Sequence, residues 1–377
     1  MNKGIIFLGA SKPWVFSLAI EVSKLRPVVA IELLASEYFR KNRFYWPSQK
    51  PDSLISCHLW SYPPGFNGRF ASFFNSGIRA RLNKEVDKLK KLNGQEPYVL
   101  TPYPWLVEYL KDTPKQDRIY FNLDDYFVNS SRYKGRAWQE DCLIKNAKTI
   151  LCASLYQTQK FKEKYPSKAK NIMHFPFGVM PSFLNPHPEN LDKNKSVFFI
   201  GYFSSRLDWE LINEVVISLK EVKFIFVGDI GEPEDKHRES NWWPLFNNIQ
   251  RRPNVELRPK VEYSKAQEYY WRSSINWIPY RVDSEFNQAS CPAKIMDCLA
   301  SGRRLISSDI SECRLYPEWI SIYHNADEAV SLIKRSLADI GSPEEIKRSR
   351  LQIEFAHSNI WAFRAAQLLD FLDKSSA

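Results

Sequence analysis

The 377-residue chain has no apolar run long enough to span a bilayer, and its GIIFLGA opening (residues 4–10) is too short for a secretory leader. Its six cysteines, Cys57, Cys142, Cys152, Cys291, Cys298 and Cys313, form no CxxC pair and no metal-ligand spacing. They read as reduced thiols, so the expected compartment is the cytoplasm and no metal is expected. The GxGxxG fingerprint is missing as well, since only Gly9 sits in the turn after the first apolar run. That argues against an ordinary dinucleotide site. There is no low-complexity tract, no internal sequence repeat and no signature of an RNA or DNA module.

What is present is enough apolar material for two cores. The chain is 44% apolar and 14% aromatic, and its length exceeds that of a usual single core. Short apolar runs at residues 4–8, 28–34, 119–123, 149–153 and 197–200 are bounded by turn residues and alternate with helical patterns. This alternation predicts α/β architecture built from parallel βαβ units, with two Rossmann-like halves that bind ligands at the carboxyl ends of their strands. The proline-rich, polar stretch 181–195 reads as a linker between a first domain, 1–185, and a second, 196–358. A terminal segment, 359–377, places Trp361, Ala365, Leu368, Leu369 and Leu372 on one helical face.

Charge is unevenly divided. Residues 1–185 hold 28 Lys/Arg and 15 Asp/Glu, a balance of +13, whereas the remainder holds 25 and 28, a balance of −3. A basic first domain suits an anionic membrane leaflet or a pyrophosphate-bearing lipid, and no nucleic-acid partner is expected. Residues 66–92 mix Phe70, Phe73, Phe74 and Ile78 with Arg69, Arg79, Arg81 and Lys84. Two readings fit: a basic amphipathic helix lying in a membrane interface, or a solvated helix packed on its own core.

The most informative stretch is SCPAKIMDCLASGRRLISSD, residues 290–309. Ser290 and Pro292 suit a helix start, Ile295, Met296 and Leu299 recur at helical spacing, and Gly302 suits the stop. Lys294 falls in the first turn, where a cation beside unpaired N–H groups attracts a phosphate. An ordinary βα unit with a surface lysine fits that segment equally well. In the first half, the strand RIYFNL (residues 118–123) delivers the pair Asp124-Asp125 to its carboxyl end. Adjacent carboxylates perturb each other, and one of them suits a general base. Helix capping, shaping of a pocket, or imitation of a metal-binding DxD are the competing readings.

The order PxK, apolar helix, LASG and apolar strand resembles the donor-site segment of group 1 nucleotide-sugar glycosyltransferases of the GT-B fold, whose usual form is PxKxxEYLAxGxPVV. Three further segments match in order: FFIGYFSSRLDW (198–209), KFIFVGDIG (223–231) and NVELRPKVEYSKAQEYYWRSSINWIPY (254–280). HFPFGV (174–179) resembles the family's turn at the end of the first domain. The resemblance implies two Rossmann-like domains facing a cleft, with the last helix packing back on the first domain. It implies donor contacts at Gly201 and Tyr202 through backbone N–H groups, at Arg206 and Lys294 to the diphosphate, and at the backbone around Arg258 to Val261 for the base. Ser290 opens the PxK segment, and Asp297 would take a ribose hydroxyl as the family's glutamate does. Gly9, Ser11 and Trp14 fit the loop where the family places acceptor contacts.

Departures from the pattern matter too. Asp297 replaces the glutamate, Arg304-Leu305-Ile306 replaces Pro-Val-Val, and Ala289 stands where retaining members carry an acid. The missing acid favours an inverting enzyme. The combination with Asp124-Asp125 and a basic first domain is similar to bacterial glucuronosyltransferases of exopolysaccharide assembly. The expected function is therefore transfer of a sugar from a nucleotide diphosphate, UDP first, to a lipid-linked or glycan acceptor. No cofactor or metal is expected, and the chain would work at the inner membrane face. A nucleotide-sugar epimerase and a catalytically silent binding protein of the same fold are the alternatives.

Overall fold

A computed structural model describes residues 3–35, 49–62, 71–123, 137–189, 195–230 and 240–374. The chain divides into two compact units, 1–178 with 361–377, and 179–360. Among the described residues no helix is long and apolar enough to cross a membrane.

The first unit is built on strands β1 (Ile5–Leu8), β2 (Val28–Ala35), β3 (Ser56–Tyr62), β4 (Tyr98–Thr101), β5 (Arg118–Asn122), β6 (Thr149–Cys152) and β7 (Ile172–His174). They form one parallel sheet in the order β3-β2-β1-β4-β5-β6-β7. β1, β4, β5 and β6 are buried along their whole length, because helices cover both faces of a parallel sheet. That is why these strands read as unbroken apolar runs rather than as alternating ones.

The helix Ala71–Asn93 settles one of the open readings for its described part. Ile78, Leu82 and Leu89 are buried in the first unit's own core, so that apolar face is not available to a membrane. Phe70, Phe73 and Phe74 lie where side chains are not described. Arg81 and Lys84 are exposed.

The last helix, Trp361–Lys374, belongs to the first unit. Trp361, Ala365, Leu368, Leu369 and Leu372 are its buried face, packed on the helix Pro13–Ser23, and Arg26 pairs with Asp373 at 2.6 Å. Each large apolar side chain buried this way contributes roughly 1.5–3 kcal/mol relative to exposure. Gly178 is required where the chain meets this helix, since a Cβ there would sit 2.8 Å from the Trp361 ring.

The second unit carries β8 (Ser196–Ile200), β9 (Lys223–Val227), β10 (Val255–Arg258), β11 (Ile275–Ile278), β12 (Arg304–Ser308) and β13 (Ile320–Tyr323). Its parallel sheet runs β10-β9-β8-β11-β12-β13, the same winding as the first.

The linker reading of 181–195 is corrected by the packing. Asn185 donates through its N–H to the Ala300 carbonyl (3.0 Å) and through Nδ2 to that of Ser301 (3.0 Å). Arg303 Nη1 holds the Pro188 carbonyl at 2.7 Å, and Trp271 Nε1 holds that of Phe183 at 2.8 Å. Residues 179–189 are thus part of the second unit, and the boundary falls at 178/179. The prolines shape a docked segment here, not a free tether.

Candidate functional site

In the second sheet β8 and β11 are neighbours, yet the chain leaves β8 toward β9 and leaves β11 toward β12. The loops at their carboxyl ends therefore diverge and open a crevice, the usual binding position in an open α/β sheet. Two glycines let this edge close up tightly. A Cβ on Gly228 would lie 1.8 Å from the Gly201 carbonyl oxygen, so no other residue fits. A Cβ on Gly201 would lie 2.8 Å from Lys294 Nζ, in the space that the ammonium approaches.

Lys294 opens the helix Lys294–Ala300, which ends before Gly302 in the left-handed region (φ +70) as its sequence suggests. Lys294 Nζ donates to the Tyr280 hydroxyl at 2.9 Å and lies 4.3 Å from the Phe199 ring centre and 4.9 Å from that of Tyr280. Arg206 is placed in a similar way. Its guanidinium lies between the rings of Tyr280 (4.7 Å) and Phe286 (4.5 Å), with Nε donating to Asn287 Oδ1 (2.9 Å) and Nη2 to Ser290 Oγ (3.3 Å).

Among the described residues neither cation makes an ion pair. Neighbouring arginines do, as Arg281 with Asp283 at 2.6 Å and Arg304 with Glu345 at 2.7 Å show. Aromatic faces hold a cation without neutralising it, so the positive potential at the crevice stays open to an incoming anion. Asn287, fully buried, ties the arrangement together: its Nδ2 donates to the carbonyls of Arg206 (3.0 Å) and Arg281 (2.9 Å).

Beside these cations lies a cavity of ≈ 180 Å³, walled mainly by apolar surface from Ile200, Val227, Val261, Tyr263 and Ala266. Tyr202, also on its wall, is 57% exposed, and Lys260 Nζ approaches its hydroxyl at 3.4 Å. Asp229 accepts from the Lys260 backbone N–H at 3.3 Å. Asp297 is buried one helical turn past Lys294 and accepts from the Tyr263 hydroxyl on both oxygens, at 3.0 and 3.2 Å. Burial raises its carboxyl to about 7, against the opposing pull of the Tyr263 hydrogen bond and the Lys294 charge.

Lys294, Arg206, Ser290, Gly201, Tyr202, Val261 and Asp297 thus cluster around one edge of the second sheet. Three details differ from expectation. The Gly201 N–H is committed to the Val227 carbonyl at 2.9 Å, so Gly201 provides space rather than a donor. Ser290 does not cap the helix; its hydroxyl donates to the Asn287 carbonyl (2.9 Å) and accepts from Arg206, while the helix start has no side-chain cap. Arg258 turns away: its guanidinium pairs with Glu256 and covers the Tyr269 ring, and its carbonyl accepts from the Gly228 N–H. Of the backbone groups from Arg258 to Val261 expected to meet a base, the Arg258 carbonyl is thereby already taken.

Tyr280, Phe199, Phe286 and Tyr263 were not identified from sequence. Their only signal was aromatic residues near strand ends and helix starts, which elsewhere in this chain mark plain core.

The corresponding edge of the first unit holds the other candidates. Gly9 takes φ +97, and a Cβ there would lie 2.7 Å from the Tyr103 ring. Ser11 donates through its N–H to Glu32 Oε2 at 2.5 Å. Trp14 packs 5.2 Å from Phe177 with Lys12 5.8 Å above its ring. Glu32 was missed because a lone acid in VVAIELLA looks like a solvent-facing position; it is instead buried, which raises its carboxyl to about 7 despite hydrogen bonds from Ser11 and Leu33 and the charge of Lys12. Asp124 and Asp125 lie outside the described residues. The strand leading to them ends in a buried group in which Tyr120 Oη donates to Glu140 Oε1 at 2.7 Å and Asn122 Nδ2 donates to both.

The two parallel sheets with flanking helices are those of the GT-B fold. HepE of Anabaena in complex with UDP superposes with a TM-score of 0.69 at 10% identity, covering 99% of this chain and all of HepE. A glycosyltransferase from Rickettsia africae ESF-5 gives 0.68 at 14% identity, covering 100% of this chain and 99% of the other. In sequence the chain is similar to TuaH of Bacillus subtilis (strain 168), a protein described by its role in teichuronic acid biosynthesis as a glycosyltransferase. The two are 20% identical over 237 residues, 61% of this chain. The match spans 57% of TuaH, less than two thirds of its length. No family model matches the sequence.

Proposed function

We propose that this chain is a glycosyltransferase that moves a sugar from a UDP-sugar to a lipid-linked or glycan acceptor in cell-surface glycan synthesis. The observation that carries the reading is the pair of unneutralised cations, Lys294 and Arg206, held on aromatic faces beside an apolar cavity at the β8/β11 edge. A nucleotide diphosphate has the matching order of a flat apolar base and two charged phosphates. Complexes of HepE with UDP and with UDP and glucose support the choice of donor, and TuaH supports the polysaccharide context.

In this reading the acceptor oxygen attacks the anomeric carbon as the bond from that carbon to the diphosphate oxygen breaks. The electron pair of the broken bond leaves with UDP, where Lys294 and Arg206 offset the new negative charge. Asp124 or Asp125 takes the acceptor's proton as its oxygen attacks from the face opposite the leaving diphosphate, a single step that inverts the anomeric centre. Charge stabilisation by the two side chains removes the need for a catalytic divalent ion. The first half's positive excess, with Arg81 and Lys84 exposed, would hold the protein at the anionic inner membrane face, and its Gly9–Trp14 stretch would meet the acceptor.

Incubation with UDP-sugars and a membrane fraction, followed by product analysis, tests the proposal. A new glycoside is expected. An isomerised nucleotide sugar would mark an epimerase of the same fold, and binding without turnover a silent binding protein.

A further inference from the structure

One polar pair, Tyr263 and Asp297, joins the cavity wall to the helix that carries Lys294. Tyr263 begins the helix Tyr263–Arg272, lines the cavity, and stacks its ring on Phe183 at 4.8 Å. Its hydroxyl points to the opposite helix, where Asp297 receives it on both carboxylate oxygens. Asp297 sits three residues beyond Lys294, one turn of the same helix, so the phenol links the wall of the apolar cavity to the helix that Lys294 opens.

A nucleoside diphosphate bound with its base in the cavity and its phosphates at Lys294 places its ribose across that interval. The pair also dictates which partner can serve. When Asp297 is ionised, above about pH 7, the only hydrogen of the phenol is committed to it and the phenol oxygen presents lone pairs alone. Asp297 itself is 3% exposed and lies behind Tyr263. A group able to donate a hydrogen bond, such as a sugar hydroxyl, is therefore favoured over an acceptor.

We infer that Tyr263, held in place by Asp297, is the residue that reads a ribose hydroxyl of the donor nucleotide, with Asp297 a positioning residue that does not touch the ligand. The inference rests on the donor-site reading above and names the selective contact within it. It moves ribose recognition from the carboxylate to the phenol, because a buried aspartate already engaged on both oxygens offers no free edge.

Calorimetric titration of the full chain with UDP, 2′-deoxy-UDP and 3′-deoxy-UDP, above about pH 7 where Asp297 is ionised, tests it. The wild type is expected to bind one of the deoxy nucleotides about tenfold more weakly than UDP, the usual effect of one hydrogen bond. Tyr263→Phe keeps the ring on Phe183 and should bind UDP as weakly as wild type binds that deoxy nucleotide, with no discrimination left. Asp297→Ala should also reduce discrimination, by freeing the phenol to rotate its proton. Equal binding of all three nucleotides by the wild type overturns the inference without any variant. So does a Tyr263→Phe protein that discriminates as the wild type does. Failure of the wild type to bind UDP at all would instead remove the donor-site reading, and this inference with it.

Discussion

Lys294 donates to the hydroxyl of Tyr280 at 2.9 Å while resting 4.3 Å from the ring of Phe199, so its charge is oriented by two aromatic residues and neutralised by neither. A surface lysine in an ordinary βα unit would point to water or to a carboxylate. This one is held toward the crevice at the β8/β11 edge, beside Gly201. Its placement makes the donor site testable by removal of single groups.

Lys294→Ala should lower UDP affinity by roughly 10- to 100-fold, the effect of losing a charge-assisted hydrogen bond. The ammonium has no ion pair to disrupt, so the melting temperature should change little. Calorimetry with UDP checks the first part and thermal melting the second; unchanged UDP binding would remove Lys294 from the site.

Arg206→Lys should not rescue the arginine. A lysine keeps the charge but loses the planar group that stacks between Tyr280 and Phe286 and that donates to Asn287 and Ser290 together. Turnover of UDP-sugar should fall by about tenfold or more. An active Arg206→Lys enzyme with wild-type kcat/KM would show that charge alone is needed there.

Gly228→Ala should destabilise the second unit by on the order of 3 kcal/mol, because the added Cβ would fall 1.8 Å from a backbone oxygen that cannot rotate away. Chemical denaturation measures this. Gly77→Ala is the internal control, since its Cβ would meet nothing within 4 Å and its backbone lies in the helix Ala71–Asn93.

Asp297 imposes a pH dependence on stability whose sign follows from its raised carboxyl. Between about pH 4, where an unfolded aspartate ionises, and about 7, where the folded one does, the folded state binds the extra proton. The advantage of the protonated folded form is complete below that window and is lost as pH rises through it. Asp297→Asn cannot titrate, so the stability of wild type relative to the variant should fall from pH 4 to 7 and level off above. Urea unfolding at a series of pH values measures the difference; a flat difference would mean that Asp297 keeps an ordinary carboxyl.

Asp124→Asn and Asp125→Asn should leave UDP binding intact, and one of them should abolish transfer. In the proposed reading the two cations take the role a divalent ion would fill, so EDTA should leave the wild-type rate unchanged. Product formation measured with and without chelator, beside both variants, separates the roles. Full activity in both variants would remove the base assignment, and loss of activity with chelator would remove metal independence.

Much of this was already legible in one dimension. Runs such as VVAIELLA and TILC are apolar because both faces of a parallel strand are covered, so the parallel α/β class follows from patterns that a local window shows, whereas the strand order does not. Lys294 and Gly302 were likewise readable, since a helix start and stop are decided by neighbours in sequence. The proline-rich 181–189 stretch was not: whether prolines tether or dock depends on the carbonyls they expose and on what lies opposite, here Arg303 and Trp271.

The sequence by itself determined two parallel α/β halves, a lysine in the first turn of a helix and the uneven charge, because periodicity, turn chemistry and composition act over a few residues. Only the tertiary structure decided that Arg258 leaves the site for Glu256, that Arg206 lies between Tyr280 and Phe286, and that Asp297 meets Tyr263 from 34 positions away. Each of those outcomes is a choice among partners distant in sequence. Packing of side chains from different helices and strands makes that choice, and no spacing along the chain encodes it.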